Sequence, residues 1–185
     1  MAVSSTEPNS PALKSGPGLA TRLGLRFGIG AGLVCALWMM ALQLTGNNGF
    51  GPKQLLAQLL VPLAAVASEW ALRRRLKPEK PGLGRSLGVG VLTVLTAALI
   101  SASSLIGLAR GAGEEALQYN RAEILEIVRA QQRENPKVKR SESEMQQQIR
   151  NVENMTAGDL AISNFTQIML LGLALAVPGG IFLRE

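Results

Sequence analysis

Histidine is absent from the chain. That removes both the commonest metal ligand and the commonest general base. Cysteine is almost absent: Cys35 stands alone inside an apolar run, so no intrachain disulfide forms and the thiol reads as a small packing group. Aromatic side chains are few, with four Phe, two Trp and one Tyr, too few for the stacking platforms that hold nucleic-acid bases. Charged residues make up 17% of the chain, against about a quarter in a soluble domain. No Cys-x-x-Cys pair, phosphate loop or Ser/His/Asp set occurs, and Glu114-Glu115 has no second carboxylate pair at metal-binding spacing. Gly28-Ile29-Gly30 echoes part of a dinucleotide fingerprint but follows no strand and lies in an apolar stretch. These absences argue against an enzyme and leave no cofactor and no metal to expect.

What the chain has is long apolar stretches. Four stand out, at residues 27–44, 55–72, 83–108 and 162–183. Eighteen helical residues cover about 27 Å, close to the hydrocarbon thickness of a bilayer. The net charge of +6 suits nucleic acid in principle, but the basic residues cluster at the ends of the apolar stretches, where membrane topology puts them. No nucleic-acid partner is therefore expected, and the lipid bilayer is. The first stretch is followed by Gly46-Asn47-Asn48-Gly49 rather than a small-residue cleavage site, so it reads as a retained span.

The fold class that follows is all-α: a polytopic membrane protein with four transmembrane helices and a charged helical hairpin between spans three and four. Residues 1–21, rich in Ser, Pro, Gly and Ala, read as a disordered tail, and 22–185 as a single four-helix membrane domain. Arg110 to Asp159 carry eight basic and nine acidic side chains. Two amphipathic helices are legible there within residues 113–156. Leu117, Ile124, Leu125 and Val128 stripe the first, which ends before Asn135-Pro136. Met145, Ile149, Val152 and Met155 stripe the second, with Ser141 and Glu144 as its capping box.

Orientation follows from the basic residues. Ten of them, from Lys14 through the Arg73-Arg74-Arg75 run to Arg184, lie on the side of the termini and the middle connector, and nine on the other. Charge packed against short loops counts most, so both termini are expected in the cytoplasm and the hairpin opposite.

Within the spans, small residues recur every fourth position: Gly24, Gly28 and Gly32 in the first, Gly84 and Gly88 in the third, Gly172, Ala176 and Gly180 in the fourth. Such seams let helix backbones approach closely. They serve either intrachain packing, the preferred reading, or a homo-oligomer face. Glu69 is the one carboxylate clearly inside a span, and Arg73 follows one turn later, which predicts an ion pair at the membrane edge. Thr93, Thr96, Ser101 and Ser104 either bond their own helix or, with Glu69, line a polar path, with Pro62 and Pro178 supplying helix breaks. Asp159 reads as an N-cap, Asn164 and Gln167 as interhelical or interfacial amides, and Trp38 and Trp70 as interfacial aromatics.

The short basic connector, the run Pro81-Gly82-Leu83-Gly84-Arg85-Ser86-Leu87-Gly88-Val89-Gly90, the Ser/Ala-rich third span, the Glu/Gln-rich hairpin and the Gly-containing last span form a recognisable order. From Arg22 to Arg184 this resembles a family of small four-span bacterial membrane proteins typical of Bacteroidota, domain of unknown function four-one-nine-nine. The chain departs from the family's usual Ile/Phe/Lys-rich look in being Ala/Leu/Gly-rich. The resemblance implies a bacterial inner-membrane location and brings no activity and no site residues. The leading functional expectation is a non-enzymatic scaffold that binds a protein partner through the 113–156 hairpin. The second is a small transporter or channel.

Overall fold

Pro17 opens the first helix, its fixed φ and missing N–H suiting the first helical position. The computed structural model describes residues 17–134 and 142–183. Helix α1 runs Pro17–Leu44, so the expected tail gives way to helix before residue 22, and residues 1–16 lie outside the described residues. A 3-10 turn at Pro52–Gln54 leads into α2 (Leu55–Gln58) and α3 (Leu60–Leu76). The hydrogen-bond ladder of the second span is interrupted next to Leu59, whose own dihedrals (φ −63°, ψ −16°) stay helical. Pro62 explains the place: it offers no N–H to the carbonyl four residues earlier, at Gln58, and its ring crowds that carbonyl.

Helix α4 spans Leu83–Glu134, with one residue, Gly113, at φ 80°. The span and the first arm of the hairpin are therefore one element bent at a glycine, the residue that accepts positive φ without strain. Helix α5 covers Glu142–Glu153 and α6 covers Ala157–Leu183. The hairpin turn, including Ser141 of the expected capping box, lies outside the described residues. At the start of α6 the cap is Thr156, not Asp159. The Thr156 hydroxyl accepts from the Asp159 N–H at 3.2 Å, and Asp159 Oδ2 accepts from the Thr156 N–H at 2.8 Å. That reciprocal pair is a capping box, with Asp159 as its third-position acid.

Four helical stretches are long and apolar enough to cross a membrane: Gly18–Leu44, Pro52–Leu76, Leu83–Gln131 and Ala157–Leu183. The protein is an all-helical, polytopic membrane protein. Its outer face carries apolar side chains such as Leu37, Leu63, Leu170 and Phe182, the last 79% exposed. Water would not tolerate so continuous an apolar surface, and a bilayer requires one.

Helix α4 is the axis, packed on α1, α3 and α6. The small-residue seams set two of these contacts. A Cβ at Gly24 would meet Leu92, at Gly28 Thr96, and at Gly32 Ile100, so α1 and α4 run in matched register, one turn per step. A Cβ at Gly172 would strike Val94 and one at Gly180 would strike Leu87, with Ala176 fully buried between them. Both seams are intrachain. Gly84 and Gly88 differ: both are exposed, and nothing lies within 4 Å of a Cβ built at either. Among the described residues their Cβ positions meet no other helix.

The hairpin closes on itself. Arg121 donates to the Met155 carbonyl through Nε at 2.9 Å and Nη2 at 2.7 Å, and its Nη1 reaches Glu114 at 2.6 Å. Val152, Leu117 and Val128 are buried, while Met145, Ile149 and Met155 are half-buried. The apolar stripes of the two arms thus cover surface inside the molecule.

Candidate functional site

Turning α3 to bury Val61, Ala65, Ser68 and Leu72 also buries Glu69, because these positions share one face at helical spacing. Glu69 is 0% exposed, and neither carboxylate oxygen has a hydrogen-bond partner. The expected ion pair with Arg73 is not formed. Among the described residues the salt bridge found joins Arg121 to Glu114, far from this site. The Glu69 carboxyl is directed instead at Gly90 of α4 and Gly179 and Gly180 of α6, and Arg74, the next arginine, stacks 5.5 Å from the Trp70 ring centroid.

Three glycines make the room for the carboxyl group. A Cβ at Gly90 of α4 would collide with Glu69 Oε1. One at Gly179 of α6 would lie 2.6 Å from Oε2, and one at Gly180 would lie 3.4 Å from Oε1. The carboxyl group therefore rests against bare backbone on two helices. Beside it, Thr93 Oγ1 donates to Ser68 Oγ at 2.9 Å, within a buried pair that also bonds the Ala65 and Val89 carbonyls. Ser86 lies one turn before Gly90 on the same face of α4, buried, its hydroxyl also unpartnered.

A second polar group occupies the hairpin end of the bundle. Ser101 Oγ donates to Asn164 Oδ1 at 2.9 Å, and Asn164 Nδ2 donates to Gln54 Oε1 at 2.9 Å. Gln58 is buried nearby in sequence, its Oε1 unpartnered. Asn48 Nδ2 donates to Asn120 Oδ1 at 2.9 Å and to Glu123 Oε2 at 2.6 Å. A cavity of about 330 Å³ lies here, with Gln54, Asn120, Asn164 and Gln167 among its lining. Between the two polar groups Val61, Ala65, Val94, Ala97 and Ile168 are fully buried and form a dry layer. Along α4 the step from Thr93 to Ser101 is about 12 Å.

The hydroxyls read from the sequence thus separate. Thr93 and Ser101 belong to the two buried groups. Thr96 bonds its own helix, donating to the Leu92 carbonyl at 2.7 Å, and faces Gly28 of α1. Ser104 is half-buried and joins neither group. Gln54, Gln58, Asn48 and Asn120 were not singled out by sequence reasoning. The signal for them is an amide embedded in, or just beside, an apolar run, a costly placement unless the amide is bonded or used.

Among the described residues no group of three or more His, Cys, Asp or Glu could hold a metal ion. A buried carboxyl group without bonded partners is the kind of side chain that marks proton or ion pathways in membrane proteins. No curated protein and no solved structure matches the chain. Residues 26–185 match the family described as "Protein of unknown function (DUF4199)", and with nearly the whole four-helix domain inside that match the chain belongs to this family.

Proposed function

We propose that this protein is a small proton-linked membrane transporter, non-enzymatic, in which Glu69 takes up and releases the proton. One observation carries the reading: a carboxyl group enclosed among membrane helices with neither oxygen bonded. A charge left so in a low-dielectric interior is costly, which is why this reading gives Glu69 the task of carrying a proton. A carboxylate kept for structure would have bonded partners. Ionisable residues within spans that lack them mark proton or ion pathways. The dry layer beneath Ser68 and Thr93 closes the route to the amide-lined cavity, so this conformation gives Glu69 no continuous polar path across the bundle. Release on the other side then requires the helices to move, and the missing hydrogen bond at Pro62 gives the second span a place to bend.

Reconstitution into liposomes carrying a pH-sensitive dye tests this. Under an imposed pH gradient and with a potassium ionophore to dissipate charge, the wild-type protein is expected to pass protons. Glu69→Gln is expected to lower the flux at least tenfold, and Glu69→Asp to keep part of it. Equal flux from wild type and Glu69→Gln overturns the reading. We place both termini and the arginine-rich connector on the cytoplasmic side of a bacterial inner membrane, from the crowding of Arg73, Arg74, Arg75, Lys77 and Lys80 against two span ends.

A second reading, partner binding by the hairpin, has its own support. Tyr119 is 62% exposed and Ile127 38% exposed on the first arm, although the arms cover each other's stripes. Deleting residues 118–154 is then expected to abolish crosslinked-partner recovery while membrane insertion persists. Unchanged recovery counts against it.

A further inference from the structure

The outer face between α1 and α3 holds an apolar groove of about 630 Å³. Its surface includes Gly30, Ala64, Ala67 and Ala71, residues too small to fill the space between the two helices. Gly30 is exposed, and nothing lies within 4 Å of a Cβ placed on it. At one end stand Arg26 of α1 and Arg75 of α3, and no acidic residue lines the groove. Along α1 the lining runs from Leu23 to Val34, about 17 Å of helix. That is close to half of the roughly 30 Å hydrocarbon core, the depth of one leaflet.

We infer that this groove is a binding site for one anionic phospholipid, its acyl chain lying along Gly30 and the alanines and its phosphate held between Arg26 and Arg75. Two features set it apart from ordinary contact with lipid. The length matches a single leaflet, and two guanidinium groups without carboxylate partners among the described residues mark only one end. Arginine matches a phosphate oxygen pair in a planar, two-pronged way, and an anionic headgroup has no cation of its own to offset that attraction as a zwitterionic one does. A second copy of the chain fits less well, since the groove mouth offers it only positive charge. A phospholipid brings the complementary charge and an acyl chain of matching length together. The site is independent of the Glu69 reading, being lined by other residues on the lipid side of the bundle.

Native mass spectrometry in mild detergent tests it, with phosphatidylglycerol and phosphatidylcholine of matched chains added in turn. Wild type is expected to retain phosphatidylglycerol about thirtyfold more tightly, each arginine near an anionic surface contributing about a factor of five. Arg26→Gln with Arg75→Gln is expected to erase that preference. Gly30→Leu is expected to lower retention of both lipids, because the new side chain occupies the groove and its Cβ meets no protein atom within 4 Å. Equal retention of the two lipids by wild type overturns the inference. So does a preference that survives the double arginine change, or a Gly30→Leu protein that holds lipid as wild type does. Thermal melting of each variant checks that the bundle is intact, and the two variants alter different parts of the groove, so either one alone decides.

Discussion

Gly28→Leu should cost the bundle about 3 kcal/mol, the upper end of what overpacking a core exacts. A Cβ at Gly28 would lie 2.6 Å from the Thr96 Cβ and 2.7 Å from the Thr93 carbonyl oxygen. The first neighbour is held by its own bond to the Leu92 carbonyl, and the second is helix backbone, so neither yields cheaply. The helices must separate instead. Separation at Gly28 opens the contacts at Gly24 and Gly32 as well, because all three lie on one line of α1 facing Leu92, Thr96 and Ile100 of α4. Helices already in lipid gain no hydrophobic drive to recover that loss, since lipid tails are as apolar as the side chains they replace. In detergent the melting temperature should fall by roughly 6–12 °C on the scale of domains this size. Gly84→Leu is the internal control: it too replaces a glycine in a four-spaced pair, but nothing surrounds it, and its melting temperature should stay close to wild type. Equal losses in the two variants would show that glycine spacing alone, and not the observed register of α1 on α4, governs stability.

That pair of glycines also marks what could be read from the sequence. Spacing of four states that residues share a helix face; it does not state what the face meets. Gly24, Gly28 and Gly32 and the Gly172, Ala176 and Gly180 line were legible as packing seams, and both do pack. Gly84 and Gly88 have identical spacing, and among the described residues nothing lies within 4 Å of a Cβ at either. The four spans were legible because bilayer thickness fixes their length. Their ends were less so. Helix α1 begins at Pro17 and α6 at Ala157, each earlier than its apolar run, and for α6 the Thr156–Asp159 capping box rather than hydrophobicity sets the start.

The candidate site was visible in parts. Glu69 stood out as a charge inside a span, but the i,i+4 relation to Arg73 pointed to the wrong partner. Arg73 shares a helix face with Glu69, and what draws the carboxyl away is the space left by glycines of α4 and α6, which are far away in sequence and cannot be paired with Glu69 from spacing alone. The bonds among Gln54, Asn164 and Ser101 were not readable, since they join residues 110 and 63 positions apart and nothing local pairs one amide with another.

Glu69→Met should stabilise the protein while silencing proton transfer, and the two effects together separate a functional carboxyl group from a structural one. Methionine has nearly the length of glutamic acid and bends to fit irregular space. In the nook made by Gly90, Gly179 and Gly180 it replaces two unbonded oxygens with groups that need no partner. Even a protonated carboxyl group buried without a hydrogen bond costs about 1–3 kcal/mol, so removing it should raise stability by a similar amount. Melting in detergent measures this directly. Glu69→Gln should gain less, because its amide needs partners that the site does not supply. If Glu69 served the fold, through a bond formed in the bilayer or with another chain, methionine would lower the melting temperature and the carboxyl group would be a structural element. A stabilised but inactive Glu69→Met is the opposite result. A residue that weakens the resting fold is expected to persist where function needs it, as strained or unsatisfied groups do at working sites. The sign of one melting shift therefore bears on the transport reading without any knowledge of the solute.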